Sequence, residues 1–127
     1  MKHPTHPCPA CGYYMFSALN EQSEICLICG WQNDLVDLQE MYRPMGSNRV
    51  SLEDAQKNFI EIGATEPRFV TEERFIKRPF ARKPTSSDMR DQKWRPLDRG
   101  RDKPRKIDPD SNNLEDLYYW YWDNVKK

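Results

Sequence analysis

Four cysteines in two Cys-x-x-Cys pairs constrain this chain more than any other feature. The first pair reads Cys8-Pro9-Ala10-Cys11-Gly12-Tyr13 and the second Cys26-Leu27-Ile28-Cys29-Gly30-Trp31, with fourteen residues between Cys11 and Cys26. No other cysteine occurs in the 127 residues, and each pair is followed by glycine and an aromatic residue. Two residues between cysteines let the chain turn back so that both sulfurs reach one ion, with peptide N–H groups facing the thiolates. Glycine after the second cysteine suits that turn, because it takes φ > 0 at little cost. Two such knuckles facing each other set four thiolates in a tetrahedron, the arrangement of structural Zn²⁺ sites. The loop between them is within the range of such sites. With Cys8, Cys11, Cys26 and Cys29 all ligating, no coordination position stays open. The expected metal is therefore structural and does no hydrolytic chemistry.

Other chemistry of four cysteines fits less well. Two disulfides would suit a secreted chain, but Met1-Lys2-His3-Pro4 carries no apolar stretch of a secretory leader. In a reducing cytosol the same spacing is a metal site, and the expected location is the cytoplasm. A thioredoxin-like redox motif would need an α/β alternation that does not follow here. Iron is the alternative ion, since Cys-Pro-x-Cys-Gly-Tyr also resembles one half of a rubredoxin. Rubredoxin-like chains space the two knuckles further apart, so zinc is the primary expectation. His3 and His6 lie in a proline-rich arm and are read as a frayed lead-in, the tetrahedron being complete without them.

A chain of this length supports one small domain. With 31% charged and 37% hydrophobic residues, apolar burial alone is a thin source of stability. A metal staple offsets that, because binding free energy adds to folding free energy. No apolar run approaches the roughly 20 residues needed to span a bilayer. The formal net charge is zero, but residues 71–106 carry 13 Lys and Arg against 6 Asp and Glu, or +7. Acidic stretches lie on either side.

Along the chain, Tyr13 to Phe16 reads as a short strand, residues 20–23 as a turn, and Glu24-Ile25 as the approach to the second knuckle. Together they make a zinc-ribbon β-hairpin with the metal at one end and with Tyr13 and Trp31 shielding the sulfurs. Residues 32–50 read as irregular, with Asp34 and Asp37 in capping and loop roles. The clearest helix starts at Ser51, its N-cap, with Glu53 and Asp54 in the first turn and Gly63 as its stop. Leu52, Ala55, Phe59 and Ile62 give it one apolar face. Residues 64–109 read as an extended, irregular basic segment, disorder-like from Thr85 to Pro109, with Trp94 and Leu97 as its anchors. Residues 110–127 read as an aromatic C-terminal helix docking on the same domain. Its inward stripe is Leu114, Leu117, Tyr118, Tyr121, Trp122 and Val125, which leaves Tyr119 and Trp120 outside. The expected fold class is thus small α+β, with residues 1–63 forming the ribbon-plus-helix unit.

The two knuckles, then Gly46-Ser47-Asn48, then Ser51-Leu52-Glu53-Asp54-Ala55-Gln56-Lys57-Asn58-Phe59, resemble the bacterial cysteine-rich CPCC family over about residues 8–63. The chain departs from that family inside the first knuckle, where the extra cysteine is Ala10; the four outer ligands are intact. The resemblance implies no established catalytic activity, and it implies kinship with immunity or accessory proteins encoded beside secreted toxins.

Three functions are weighed. The first is a non-catalytic protein-binding module, an immunity-type protein that neutralises a cognate bacterial toxin. Glu115, Asp116, Tyr119, Trp120, Asp123 and Trp94 are its candidate contact residues, since Tyr and Trp concentrate in binding hot spots and acidic groups complement a basic partner. The alternative is nucleic-acid binding through the basic 71–106 segment, with Trp94 as a stacking platform. An enzyme is the weakest of the three, because no nucleophile–base constellation is legible.

Overall fold

A computed structural model of the protein describes residues 4–19, 21, 24–70, 82–108, 110–111 and 113–125, the side chains of the last three excepted. Strand β1 (His6–Pro7) pairs antiparallel with β2 (Tyr14–Phe16), His6 opposite Phe16 and Pro7 opposite Tyr14. The hairpin therefore encloses the first knuckle. This corrects the ribbon expectation, in which the strand after the first knuckle would pair with the approach to the second. Ile25 pairs instead with Gln32, closing the second knuckle on itself. The physical reason is locality: closing a six-residue knuckle orders fewer residues than pairing across a fourteen-residue loop. The arm holding His6 is thus a strand rather than a frayed end, while His3 lies outside the described residues.

Residues 35–40, expected to be irregular, form helix α1 (Leu35–Glu40), capped by Asp34, whose Oδ1 accepts the Val36 N–H at 2.9 Å. Helix α2 spans Leu52–Ile62. The Ser51 hydroxyl accepts the Asp54 N–H at 3.1 Å, and Gly63 ends the helix at φ 83°. Its inner face differs from the apolar repeat in one respect. Leu52 and Ala55 are fully buried, as expected, but Ile62 is 39% exposed and Gln56 is buried. A 3₁₀ turn follows at Pro67–Phe69. Within the stretch read as extended from residue 64, Phe69 thus closes a 3₁₀ turn, and residues 71–81 lie outside the described residues.

The stretch from 82 to 108 is not loose. It wraps the first knuckle, and Ile107 reaches the core at 4% exposure, with its N–H donated to Gln39 Oε1 at 2.7 Å. Composition failed here because the anchors are polar: hydrogen bonds and ion pairs stand in for missing apolar residues.

The C-terminal helix is broken. α3 (Leu114–Leu117) and α4 (Tyr119–Val125) flank Tyr118, whose backbone is extended at φ −120° and ψ 134°. The break resets the helical phase, so Leu117, Tyr118, Tyr119 and Trp120 are all buried in succession. They share one core with the four cysteines, Trp31, Leu38 and Leu52. Among the described residues, no helix is long and apolar enough to cross a membrane.

Candidate metal centre

Each knuckle closes with the same two hydrogen bonds. The Cys8 N–H donates to the Tyr13 carbonyl at 2.8 Å, and the Gly12 N–H to the Cys8 carbonyl at 2.7 Å. In the second, the Cys26 N–H donates to Trp31 and the Gly30 N–H to Cys26, both at 2.8 Å. Both glycines have positive φ, 84° and 91°, a region that L side chains enter only with strain.

The four sulfurs converge. Cys8 and Cys29 Sγ are 3.6 Å apart, and Cys11 and Cys26 Sγ are 3.7 Å apart. All four lie within 4.8 Å of one another and are buried. These separations are far beyond the roughly 2.05 Å of a disulfide, and all four are free cysteines. A tetrahedron with metal–sulfur bonds of about 2.3 Å has edges of about 3.8 Å. The donor set and spacing therefore fit a tetrahedrally held ion.

Electrostatics agree with that fit. Burial pushes the Cys8, Cys11 and Cys29 thiols up from their ordinary range. Burial acts on Cys26 in the same sense, but hydrogen bonds from Cys11, Cys29 and Cys8 and from the Cys29 backbone outweigh it and draw Cys26 well down. Four thiolates together need a cation among them.

The carbonyls of the knuckles are held from outside. Pro9 O accepts Gln56 Nε2 at 3.0 Å and Trp94 Nε1 at 2.9 Å. Cys11 O accepts Arg90 Nε at 2.9 Å, and Gly12 O accepts the Asp91 N–H at 2.8 Å. On the second knuckle, Cys29 O accepts the Thr65 N–H at 2.8 Å. An aromatic ring also covers each knuckle glycine, Trp94 on Gly12 and Phe69 on Gly30. Of these supports, Gln56 left a usable trace in the sequence. It sits four residues after Leu52 and one after Ala55, on the buried side of the helix, where its polarity hid its position.

A second polar knot fixes the chain beyond Trp31. Asp34 Oδ2 accepts the Ser47 N–H at 2.8 Å and its hydroxyl at 2.7 Å. Asp37, fully buried, accepts the N–H groups of Gly46 at 2.8 Å and Asn48 at 2.9 Å. Asn48 in turn grips the Gln32 backbone through both ends of its amide, each at 2.9 Å. The bonds of both aspartates are spent on this loop and on the α1 cap, a structural role.

The candidate contact residues fare unevenly. Tyr119 is 1% and Trp120 3% exposed, so neither is an outward anchor. The Tyr119 hydroxyl donates to Arg95 O and accepts from Gln56 at 2.7 Å; Trp120 Nε1 donates to Asp91 Oδ2 at 3.0 Å. Trp94 is half-buried against the first knuckle, its Nε1 donated to Pro9 O. Glu115 and Asp116 are exposed in the first turn of α3. Asp123 belongs to α4, and its side chain lies outside the described set. Tyr13 is half-buried beneath the Arg90 guanidinium at 5.1 Å, and Trp31 is fully buried, in keeping with shielding.

A family model described as cysteine-rich CPCC matches residues 6–79. The chain belongs to the cysteine-rich CPCC family. The match spans both knuckles, α1, α2 and the 3₁₀ turn. It stops short of Arg90, Asp91, Trp94 and the aromatic C-terminus, which complete the packing around the CPCC-family core. No curated protein and no solved structure matches the chain.

Proposed function

We propose that this CPCC-family protein is a non-catalytic, cytoplasmic protein-binding module, stapled by a structural Zn²⁺ on Cys8, Cys11, Cys26 and Cys29 in a zinc-ribbon-like arrangement. Its most specific form is an immunity-type protein that binds and neutralises a cognate bacterial toxin. The observation that carries the reading is the closure of the metal centre. Four buried sulfurs at tetrahedral spacing would fill the coordination shell of a zinc ion and leave no position on it for a substrate. A protein organised around such a centre acts through its surface. The association of the CPCC resemblance with immunity proteins supports the toxin partner.

The surface that remains for a partner includes Glu115 and Asp116 on α3 and the last turn of α2, where Ile60 is 63% exposed beside Glu61 and Ile62. An apolar residue set among acids suits a basic toxin domain, with charge speeding encounter and the isoleucines holding it. The competing nucleic-acid reading rests on the +7 charge of residues 71–106. Several of those arginines already hold partners within the chain, although Arg99 and Arg82 keep exposed side chains. Arg95 clasps Asp102 at 2.8 and 2.9 Å, and Arg99 clasps Glu53 at 2.8 and 2.9 Å. Arg82 pairs with Asp88 at 2.8 Å, Arg90 lies over Trp94 at 4.7 Å, and Arg105 over Trp122 at 3.8 Å.

A pull-down from the native host, followed by co-expression with any toxin domain it captures, tests the reading. The expected result is rescue of growth and a stoichiometric complex that weakens on Ile60→Asp. A toxin that stays active and unbound in the presence of the folded protein refutes it. Tight, steeply salt-dependent binding to nucleic acid would support the alternative.

A further inference from the structure

Gln56 is the polar residue that α2 buries most deeply, at 1% exposure. A buried primary amide needs partners for both of its N–H groups and for its oxygen. Gln56 has all of them. Nε2 donates to Pro9 O at 3.0 Å and to the Tyr119 hydroxyl at 2.7 Å, and Oε1 accepts the Leu97 N–H at 2.8 Å. The amide cannot be reversed. Pro9 O only accepts and the Leu97 N–H only donates, so the nitrogen must face the first and the oxygen the second. Four parts of the fold meet at this one group: α2, the first knuckle, the wrapping segment and α4.

The knuckle end of this network bears on two metal ligands at once. The Pro9–Ala10 peptide is the middle link between Cys8 and Cys11. Both lone pairs of its oxygen are taken, one by Gln56 and the other by Trp94 Nε1 at 2.9 Å. A peptide unit is planar, so an oxygen held at two points fixes the tilt of the whole unit. With it are fixed the directions in which the chain leaves Cys8 and enters Cys11. Those directions decide where the two sulfurs stand against their counterparts, 3.6 Å from Cys29 and 3.7 Å from Cys26. A four-sulfur site tolerates little error there, because metal–sulfur bonds of about 2.3 Å set the edges of the tetrahedron.

We propose that Gln56 is a positioning residue of the metal centre, its amide holding the Pro9 carbonyl so that Cys8 and Cys11 are presented together to the ion. It acts through the peptide between the two ligands rather than on a sulfur. Leu97 and Tyr119 keep the amide from swinging away, which ties the wrapping segment and α4 to the metal. This inference rests on the metal-binding reading of the four cysteines.

The test compares wild type, Gln56→Met and Gln39→Met. Gln56→Met keeps the length of the side chain and removes its donor to Pro9 O. Gln39→Met removes a comparable bond from the same wrapping segment, the Ile107 N–H to Gln39 Oε1 at 2.7 Å, at a point that involves neither knuckle. Metal binding is coupled to folding, so any destabilised variant loses apparent affinity; the Gln39 variant supplies that baseline. Zinc affinity is measured by chelator competition, and the sulfur-to-metal charge-transfer band of Co²⁺-loaded protein reports the ligand geometry. Gln56→Met is expected to bind zinc about tenfold more weakly than Gln39→Met and to shift the band, which Gln39→Met leaves in place. An unshifted band in Gln56→Met, or an equal shift in both variants, overturns the proposal, even if the melting temperature falls. If Gln56→Met does not fold, Trp94→Phe removes the other donor to Pro9 O; a shifted band there supports the proposal and an unshifted one overturns it. If wild type takes up neither ion, the metal reading itself fails, an outcome separate from a silent glutamine.

Discussion

The indole of Trp94 lies directly on the α-carbon of Gly12, so close that a methyl group there would sit 2.7 Å from Trp94 Cγ. Trp94 and Gly12 are thus two halves of one contact, and the backbone of Gly12 is held at φ 84°. Gly12→Ala combines backbone strain with overpacking and is expected to cost about 2–4 kcal/mol. Denaturant unfolding of the metal-loaded protein measures it. A loss under about 0.5 kcal/mol, the range of ordinary surface changes, would show that the ring can move aside freely.

Removing one sulfur should undo more than one bond. Cys26→Ser leaves three thiolates and breaks metal-coupled folding. The expected outcome is loss of stoichiometric metal by elemental analysis together with loss of near-ultraviolet circular dichroism. A strong chelator added to wild type should give the same spectrum. A metal-free variant that keeps the native spectrum and melting temperature would refute the idea of a staple.

Trp120 distinguishes a core residue from a binding anchor. At 3% exposure, with its N–H on Asp91, Trp120→Ala should destabilise the protein by about 3–5 kcal/mol. Affinity for a partner, measured on the folded fraction, should not change. Charge reversal at Glu115 and Asp116, both exposed, should do the opposite: it should slow association while moving stability by less than about 0.5 kcal/mol.

Acid should weaken the fold through Asp34 and Glu53. Burial raises Asp34, but the Ser47 hydroxyl and three backbone N–H groups outweigh it, leaving the carboxyl below its usual range. Arg99 holds Glu53 down by its hydrogen bonds and charge. A carboxyl depressed in the folded state binds protons more readily when unfolded. Its stabilisation is therefore present above the unfolded values, near pH 4, and disappears as pH falls through the folded ones. Stability should fall below about pH 4. Asp34→Asn should lower it at pH 7 and flatten the acid limb, and an unchanged limb in both Asp34→Asn and Glu53→Gln would remove these groups from the account.

The difference between what could be read early and what could not follows the range of the interactions. The two knuckles, the Ser51 cap and the Gly63 stop are local: each needs residues within a few positions to set backbone geometry, so the spelling of a short segment reveals them. The strand at His6–Pro7 was missed because Pro7 argues against a strand and only closure of the knuckle makes it pair. The wrapping segment was missed because Arg95, Arg99 and Arg90 anchor it, and charged residues read as solvated until their partners are known. Those partners are far off in sequence: Glu53 lies 46 positions from Arg99, and Cys11 lies 79 from Arg90.

Taken alone, the sequence determined that four sulfurs can meet around one ion and that a capped helix follows them. Spacing and glycine placement suffice for that, since both act through the nearest peptide bonds. Only the tertiary structure decided which aromatics face inward. One extended residue, Tyr118, shifts the helical phase of everything after it, and no side-chain periodicity survives such a break, after which Tyr119 meets Gln56 and Trp120 meets Asp91. The same packing turned the outward candidates Tyr119 and Trp120 into core, in one cluster with Tyr118 and the cysteines.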